Sequence, residues 1–332
     1  MPNFIIDNVT NSAGADLQNV ASINGGQFSL RNKLINGSMS IDQRNAGASK
    51  TFTAAAALAY SVDRWYGYCT GANVTGQRVA GTAPNQYNYR YTGAASVTKI
   101  GHAQRIEAAN CQDLAGTTAT LAVDLANSLL TTVTWTAWYA NTADTFGTLA
   151  SPTRTQIATG TFTVSSTLTR YSTNISIPSA ATTGIEVEFS VAAQTSGTWT
   201  IGRAQLEVGS AATSFEHRPI TLELLLAQRY YAKTFSLGTA PAQNAGATSA
   251  IGFISQATQP WDAFWKLPVE MRTTPITVTT YSTNAASANW STNTDTPTAT
   301  VTAGPGTVTI RASASGAAGR AYSIHVTAEA EL

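Results

Sequence analysis

Ile185-Glu186-Val187-Glu188-Phe189-Ser190-Val191 decides the fold class. Apolar residues occupy every odd position, and Glu or Ser every even one. That is the period of a β-strand with one face turned to a core and the other turned away. Other segments alternate in the same way. They include Thr120-Leu121-Ala122-Val123-Asp124, Thr132-Val133-Thr134-Trp135, Thr161-Phe162-Thr163-Val164 and Thr173-Asn174-Ile175-Ser176-Ile177. Turn clusters at Leu114–Thr117, Ser179–Gly184 and Thr195–Gly197 separate them. Many short strands at regular spacing read as an all-β sandwich or barrel over residues 34–218.

Farther along, Thr221–Tyr231 carries the one convincing helical pattern. Pro219 fixes its entry, Glu223 lies in the first turn and Arg229 near the end. Leu222, Leu225, Leu226 and Tyr230 share a face, which is expected to pack on a sheet or on another subunit. Alternation then resumes at Ile276-Thr277-Val278, Thr298–Val301, Thr307–Ile310 and Ser323–Ala328. The predicted organisation has four parts: an N-terminal arm over 1–33, a jelly-roll β-sandwich over 34–218, a connector helix over 219–232, and a second, smaller β-sandwich over 233–332.

Composition excludes several classes of function. Of 332 residues only 11% are charged, and the net charge is +1. The five lysines are scattered, so the chain lacks the basic patch that nucleic acid or an anionic membrane surface demands. No run approaches the length of a membrane span. Met1–Asp7 has neither a basic start nor a long apolar run, so no Sec signal is visible. Cys69 and Cys111 make no disulfide framework and read as two buried thiols, although a single bridge between them stays open.

Three blocks of sequence go further. Ile35-Asn36-Gly37-Ser38-Met39 runs through Asp42-Gln43-Arg44-Asn45-Ala46-Gly47. Val62-Asp63-Arg64-Trp65 follows. Gln205-Leu206-Glu207-Val208-Gly209 then leads through Phe215-Glu216-His217-Arg218 to Gln228-Arg229-Tyr230-Tyr231. In this order they resemble the jelly-roll, carbohydrate-binding-like domain of phage fibre and spike proteins. The resemblance covers about two thirds of the chain. It implies a virion fibre or spike subunit, a homo-oligomer and by analogy a trimer, that attaches to host surface polysaccharide while the arm docks on capsid or tail proteins. A purely structural virion decoration or adaptor is the alternative, and a polysaccharide depolymerase a lesser one. Related jelly rolls often hold a structural calcium. Here Asp42 or Glu207 could each give one ligand, but no metal-spaced cluster appears.

No residue pattern points to catalysis. His102, His217 and His325 have no nucleophile at a recognisable spacing. Glu186 and Glu188 have the same-face spacing a glycosidase pair needs, but so does any strand with Glu on its wet side. Asp42, Asp63, Glu207 and Glu216 lie beside Arg44, Arg64 or Arg218 and are expected to pin strand ends by paired hydrogen bonds.

Sugar binding needs aromatic faces beside amides and hydroxyls. The candidate carbohydrate-binding residues are Tyr66 and Tyr68, Trp138 and Tyr139, and Trp290 in a loop with Asn284, Ser287, Asn289 and Ser291. Odd–even counting puts Val133, Trp135 and Ala137 on one strand face and Trp138 on the other. Trp65 reads as core. Tyr87, Tyr89 and Tyr91 form either a sugar platform or a buried sheet face.

Overall fold

The alternating segments become strands, and the apolar half of each faces inward. The computed structural model describes residues 30–55, 58–255, 260–292, 295–312 and 318–332. Most of the expected N-terminal arm, residues 1–29, lies outside the described residues, as do Gln259 and Asn293. The first unit contains β1 (Lys50–Phe52), β2 (Ala59–Tyr60), β3 (Tyr66–Thr70), β4 (Val74–Ala80), β5 (Tyr87–Thr92) and β6 (Lys99–Ile106). A one-turn helix α1 (Ala108–Cys111) precedes β7 (Thr118–Asn127), β8 (Thr132–Ala140) and β9 (Arg154–Thr163). Then come β10 (Thr169–Ser176), β11 (Ile185–Val191) and β12 (Thr198–Val208).

These strands form two six-stranded antiparallel sheets, ordered β1-β4-β5-β12-β7-β10 and β2-β3-β6-β11-β8-β9. The chain crosses between the sheets repeatedly, with β2-β3, β4-β5 and β8-β9 as hairpins within one sheet, as in a jelly roll. Leu121, Val123, Leu125, Trp199 and Ile201 of the first sheet meet Ile100, Val133, Trp135, Val187 and Phe189 of the second. Each fully buried side chain of this size contributes about 1.5–3 kcal/mol of transfer free energy. Tyr89 and Tyr91 are in this core, which settles that ladder as a buried sheet face. Trp65 is fully buried too. Cys69 and Cys111 are buried free thiols.

The residues flanking the sandwich form a polar plug at one end. Asn36, with φ at 57°, is fully buried. Its amide donates to the backbone oxygens of Ile41 and Asp63 at 2.8 and 2.9 Å, and its own carbonyl accepts from the Trp65 indole at 3.0 Å. Asp42 caps the backbone N–H groups of Asn45 and Gly47 at 2.9 and 2.7 Å. A Cβ on Gly37 would stand 2.1 Å from the Ala204 backbone oxygen, so this close approach to β12 admits only glycine. Residues 31–33, expected in the arm, already bond to the sandwich. Lys33 donates its N–H to the Leu206 oxygen at 2.8 Å, and Asn32 donates its amide to the Ala204 oxygen at 3.0 Å.

The connector helix α2 (Ile220–Gln228) is shorter than the expected span. Glu223 and Ala227 are its buried positions, with Tyr230 following, whereas Leu225 is exposed and Leu222 only half-buried. The expected Leu222/Leu225/Leu226/Tyr230 face is therefore rotated. Glu223 turns inward because it accepts from the Asn36 backbone N–H and lies 3.5 Å from Arg218.

The second unit has β13 (Tyr231–Lys233), β14 (Ile251–Ile254), β15 (Trp261–Lys266), β16 (Thr277–Ser282), β17 (Ala299–Ala303), β18 (Thr307–Ala312) and β19 (Ala321–Glu329). β19 pairs with β13, β14 and β16, while β18 joins β15 and β17. Their core holds Trp261, Trp290, Val308, Ile310, Tyr322, Ile324 and Val326.

Of the expected pairs, Arg218 and Glu216 meet at 3.3 Å, but the ion pairs that fasten the two units together are others. Arg44 and Arg64 do not pair with Asp42 and Asp63. Instead Arg44 reaches Glu329 and Glu331 at 3.1 Å each, and Arg64 pairs with Glu331. Gln43 holds Asp63 at 2.5 Å and donates to the Tyr231 oxygen at 2.8 Å.

His102 stacks between Trp65 and Tyr89, with centroids at 4.8 and 5.4 Å, and its Nδ1 lies 3.0 Å from the Tyr91 hydroxyl. Burial lowers its pKa from 6.5 to about 3. Below pH 6.5 the unfolded chain takes up a proton there and the folded chain does not, so this site loses stability as pH falls toward 3. His102→Phe keeps a ring in the stack and cannot be protonated. Urea unfolding at several pH values should show wild-type stability falling relative to the variant by about 1.4 kcal/mol per pH unit between about pH 6 and 4. Parallel pH slopes in the two proteins would contradict this.

Candidate functional site

The outward face of the sheet β2-β3-β6-β11-β8-β9 follows from register. Glu186 is opposite Arg105 on one side and Trp138 on the other, and Glu188 is opposite Ala103 and Thr136. Tyr66 is opposite Ala103 and Tyr68 opposite Gly101. Tyr66, Tyr68, Lys99, Arg105, Glu186, Glu188 and Trp138 therefore share one face.

Most of that face is covered. The Glu186 side chain is fully buried and that of Glu188 is 4% exposed, which overturns the reading of a wet glutamate face. A buried carboxylate is tolerated only when paired. Arg105 Nε bonds Glu186 at 2.7 Å, and Arg154 pairs with Glu186 on one nitrogen while its other lies 3.4 Å from Glu188. Lys99 Nζ and the Tyr68 hydroxyl both donate to Glu188 Oε1, at 2.8 and 2.5 Å. Burial, and then the Glu188 charge, push the Tyr68 phenol above its ordinary pKa, so it stays a donor.

Beside this cluster the face opens into a groove of about 680 Å³. Tyr68, Thr70, Lys99, Trp138, Arg154 and Glu188 line it, and Thr148-Leu149-Ala150 of the β8–β9 loop form a wall. The Tyr68 ring lies on Gly101, where a Cβ would stand 2.1 Å from the ring. The Arg154 guanidinium sits 4.4 Å from the centre of the Trp138 ring and fixes its orientation. The groove thus offers two half-buried aromatic side chains, an ammonium, a carboxylate and hydroxyls within the volume range of small-ligand sites. Among the described residues no group of three or more His, Cys, Asp or Glu side chains could hold a metal ion. Asp42 bonds Asn45 and Gly47. Glu207 accepts from Gln205, at 2.8 Å, and from the backbone and hydroxyl of Thr213, at 3.0 and 2.7 Å.

The structure brings together two of the five predicted residues, Tyr68 and Trp138. It removes the other three from the groove. Tyr66 is 1% exposed because Arg105 covers its ring at 5.2 Å and Tyr60 meets it edge-on. Tyr139 is opposite Ile185 and packs against the core, on the other strand face from Trp138. Trp290 is fully buried against Trp261, with ring centres 4.4 Å apart, so it is not an exposed ring on its polar loop. Sequence reasoning missed Lys99, Arg154 and the loop 148–150. Strand parity had marked Glu188 as facing away from the core, but only register shows which side chains join it there.

No family model matches the chain, and no curated protein matches it. Among solved structures it is similar to the enzymatically active domain of bacteriophage CBA120 tailspike protein 4, with 16% identity and a TM-score of 0.34. That match covers 54% of this chain and 21% of the tailspike chain, so the chain spans about a fifth of it. It is also similar to TmCBM61 in complex with β-1,4-galactotriose, with 12% identity, 54% and 99% coverage and a TM-score of 0.35. A third likeness is the C-terminal family 22 carbohydrate-binding module of Clostridium thermocellum Xyn10B, with 13% identity, 46% and 91% coverage and a TM-score of 0.33.

Arg154 neutralises two carboxylates and its side chain is 11% exposed, whereas the Lys99 side chain is 43% exposed. Arg154→Met should therefore destabilise the protein by about 3 kcal/mol in chemical denaturation, since it leaves buried charge uncompensated. Lys99→Met should cost under about 1 kcal/mol. Equal costs would contradict the picture of a buried cluster with an exposed rim.

Proposed function

We propose that the protein binds glycans in the groove between Tyr68 and Trp138 and does not cleave them. The observation that carries this reading is the set of groups gathered there: two aromatic side chains flank a carboxylate, an ammonium and hydroxyls in one open groove. Aromatic faces match the C–H faces of pyranose rings, and fixed donors and acceptors read ring hydroxyls. The polarity is already neutralised within the protein, since Lys99 and Arg154 are paired to Glu188. Neutral hydroxyls can then bond to the positions these groups leave unused, without breaking the pairs.

Cleavage by paired carboxylates is disfavoured by the same geometry. Glu186 lies under the floor with its side chain fully buried and held by Arg105 and Arg154. It cannot reach a glycosidic oxygen or a water above it.

The biological setting we infer is a virion fibre or spike subunit, exposed on a phage or phage-like particle, that attaches to host surface polysaccharide. This rests on the three sequence blocks named above, which the structure uses as the polar plug. A trimer would have Ile220 and Leu225, exposed on α2, available for contact between subunits. The alternative, a structural virion protein, is favoured by one observation: Tyr66 and Trp290, two of the five aromatic candidates, are spent inside the fold.

Binding of purified protein to host surface polysaccharide separates these readings. Wild type should bind saturably and release no sugar, and Trp138→Ala and Tyr68→Ala should each weaken binding by about tenfold or more, the equivalent of about 1.4 kcal/mol. Equal binding by all three proteins would move the site away from the groove. No binding to any host fraction would favour the structural protein, and released oligosaccharide would revive the depolymerase.

A further inference from the structure

A second cleft, of about 320 Å³, opens between the two units and away from the groove. Lys50 and Tyr60 line it from the sandwich, and Tyr231, Tyr281 and Thr327 from the second unit. Arg44 is built into its wall. Its guanidinium lies 3.8 Å from the centre of the Tyr231 ring and 4.6 Å from that of Tyr60, while its nitrogens hold Glu329 and Glu331. The rings are thus fixed, and the one carboxylate on the wall, Glu329, is already paired.

Among the remaining polar groups of the lining, Lys50, Tyr231, Tyr281 and Thr327 can each donate a hydrogen bond. Lys50 is half-buried, and among the described residues its ammonium makes no hydrogen bond or ion pair. Burial, and then the positive charge of Arg44, hold its pKa below the ordinary lysine value. The hydroxyls of Tyr231, Tyr281 and Thr327 likewise have no hydrogen-bond partner among the described residues. An ammonium and three hydroxyls converging on one cleft suit an oxyanion, which accepts several hydrogen bonds and is held more strongly by a charged donor.

We propose that this cleft is a second binding site, which takes an oxyanion, either a carboxylate or a phosphate; that a sugar carries it rests on the glycan-binding reading above. A neutral sugar would bring no charge to Lys50, whose nearest carboxylates, Glu329 and Asp42, already hold Arg44 and the Asn45 and Gly47 backbone. The site does not depend on the groove, because no residue lines both: Trp138 and Tyr68 line the groove and not this cleft.

The test uses the full chain, with glucuronate and glucose 6-phosphate as separate probes and glucose as the neutral control, followed by NMR or calorimetry. At least one anion is expected to bind saturably, glucose not to, and binding to weaken as salt rises. Lys50→Gln should weaken the anion by about tenfold or more. Tyr281→Phe, which removes one hydroxyl from the rim, should weaken it less. Trp138→Ala should leave it unchanged, so loss of this site and loss of the groove read out separately. Binding of glucuronate alone would assign a carboxylate, and of glucose 6-phosphate alone a phosphate. Saturable binding of neither anion, or undiminished binding by both Lys50→Gln and Tyr281→Phe, would overturn the proposal.

Discussion

Two carboxylates on the central strand β11 organise the outward face of its sheet. Glu186 and Glu188 are almost wholly removed from water, and each requires cations around it. Arg154 spans both, and in doing so sits over the Trp138 ring. Arg105 serves Glu186 and extends its other nitrogens to the backbone oxygens of Leu332, at 2.7 Å, and Gly147, at 3.3 Å. Lys99 and Tyr68 serve Glu188. One electrostatic requirement therefore sets the aromatic rings of the groove, ties down the loop that walls it and anchors the end of the second unit. Had these positions been apolar, the strand would still have paired, but Tyr68 would lose the acceptor of its hydroxyl and Trp138 the guanidinium over its ring.

The three sequence blocks satisfy a different need. A sandwich must close its ends without leaving buried backbone groups unpaired. Asn36, Asp42, Gln43 and Asp63 close one end by hydrogen bonds to turns, and Arg44 and Arg64 carry the same network across to Glu329 and Glu331. The end plug and the interdomain joint are one continuous polar structure, with the second cleft at its edge.

Much of this was legible in the sequence because a strand has a fixed period. Alternation in Ile185–Val191 turned Glu186 and Glu188 away from the core, and odd–even counting separated Trp138 from Trp135. Tyr66 and Tyr68 stand two residues apart on β3 and share a face, but parity is silent about what lies above a sheet face. Arg105 covers Tyr66 and leaves Tyr68 at the rim. Trp290 misled because its neighbours in sequence are polar, whereas Trp261, its neighbour in space, is 29 residues away. The helix face was misread for a related reason: a glutamate looks like a solvent residue until a buried backbone N–H, here that of Asn36, claims it. Lys99 and Arg154 could not be assigned at all, since their role depends on which strands flank β11.

The most direct measurement is a crystal structure of the protein with an oligomer cut from host surface polysaccharide. A sugar ring should lie against Trp138 or Tyr68, with its hydroxyls on Lys99 and Glu188. An oligomer seated elsewhere, with this groove unoccupied at saturating concentration, would contradict the account.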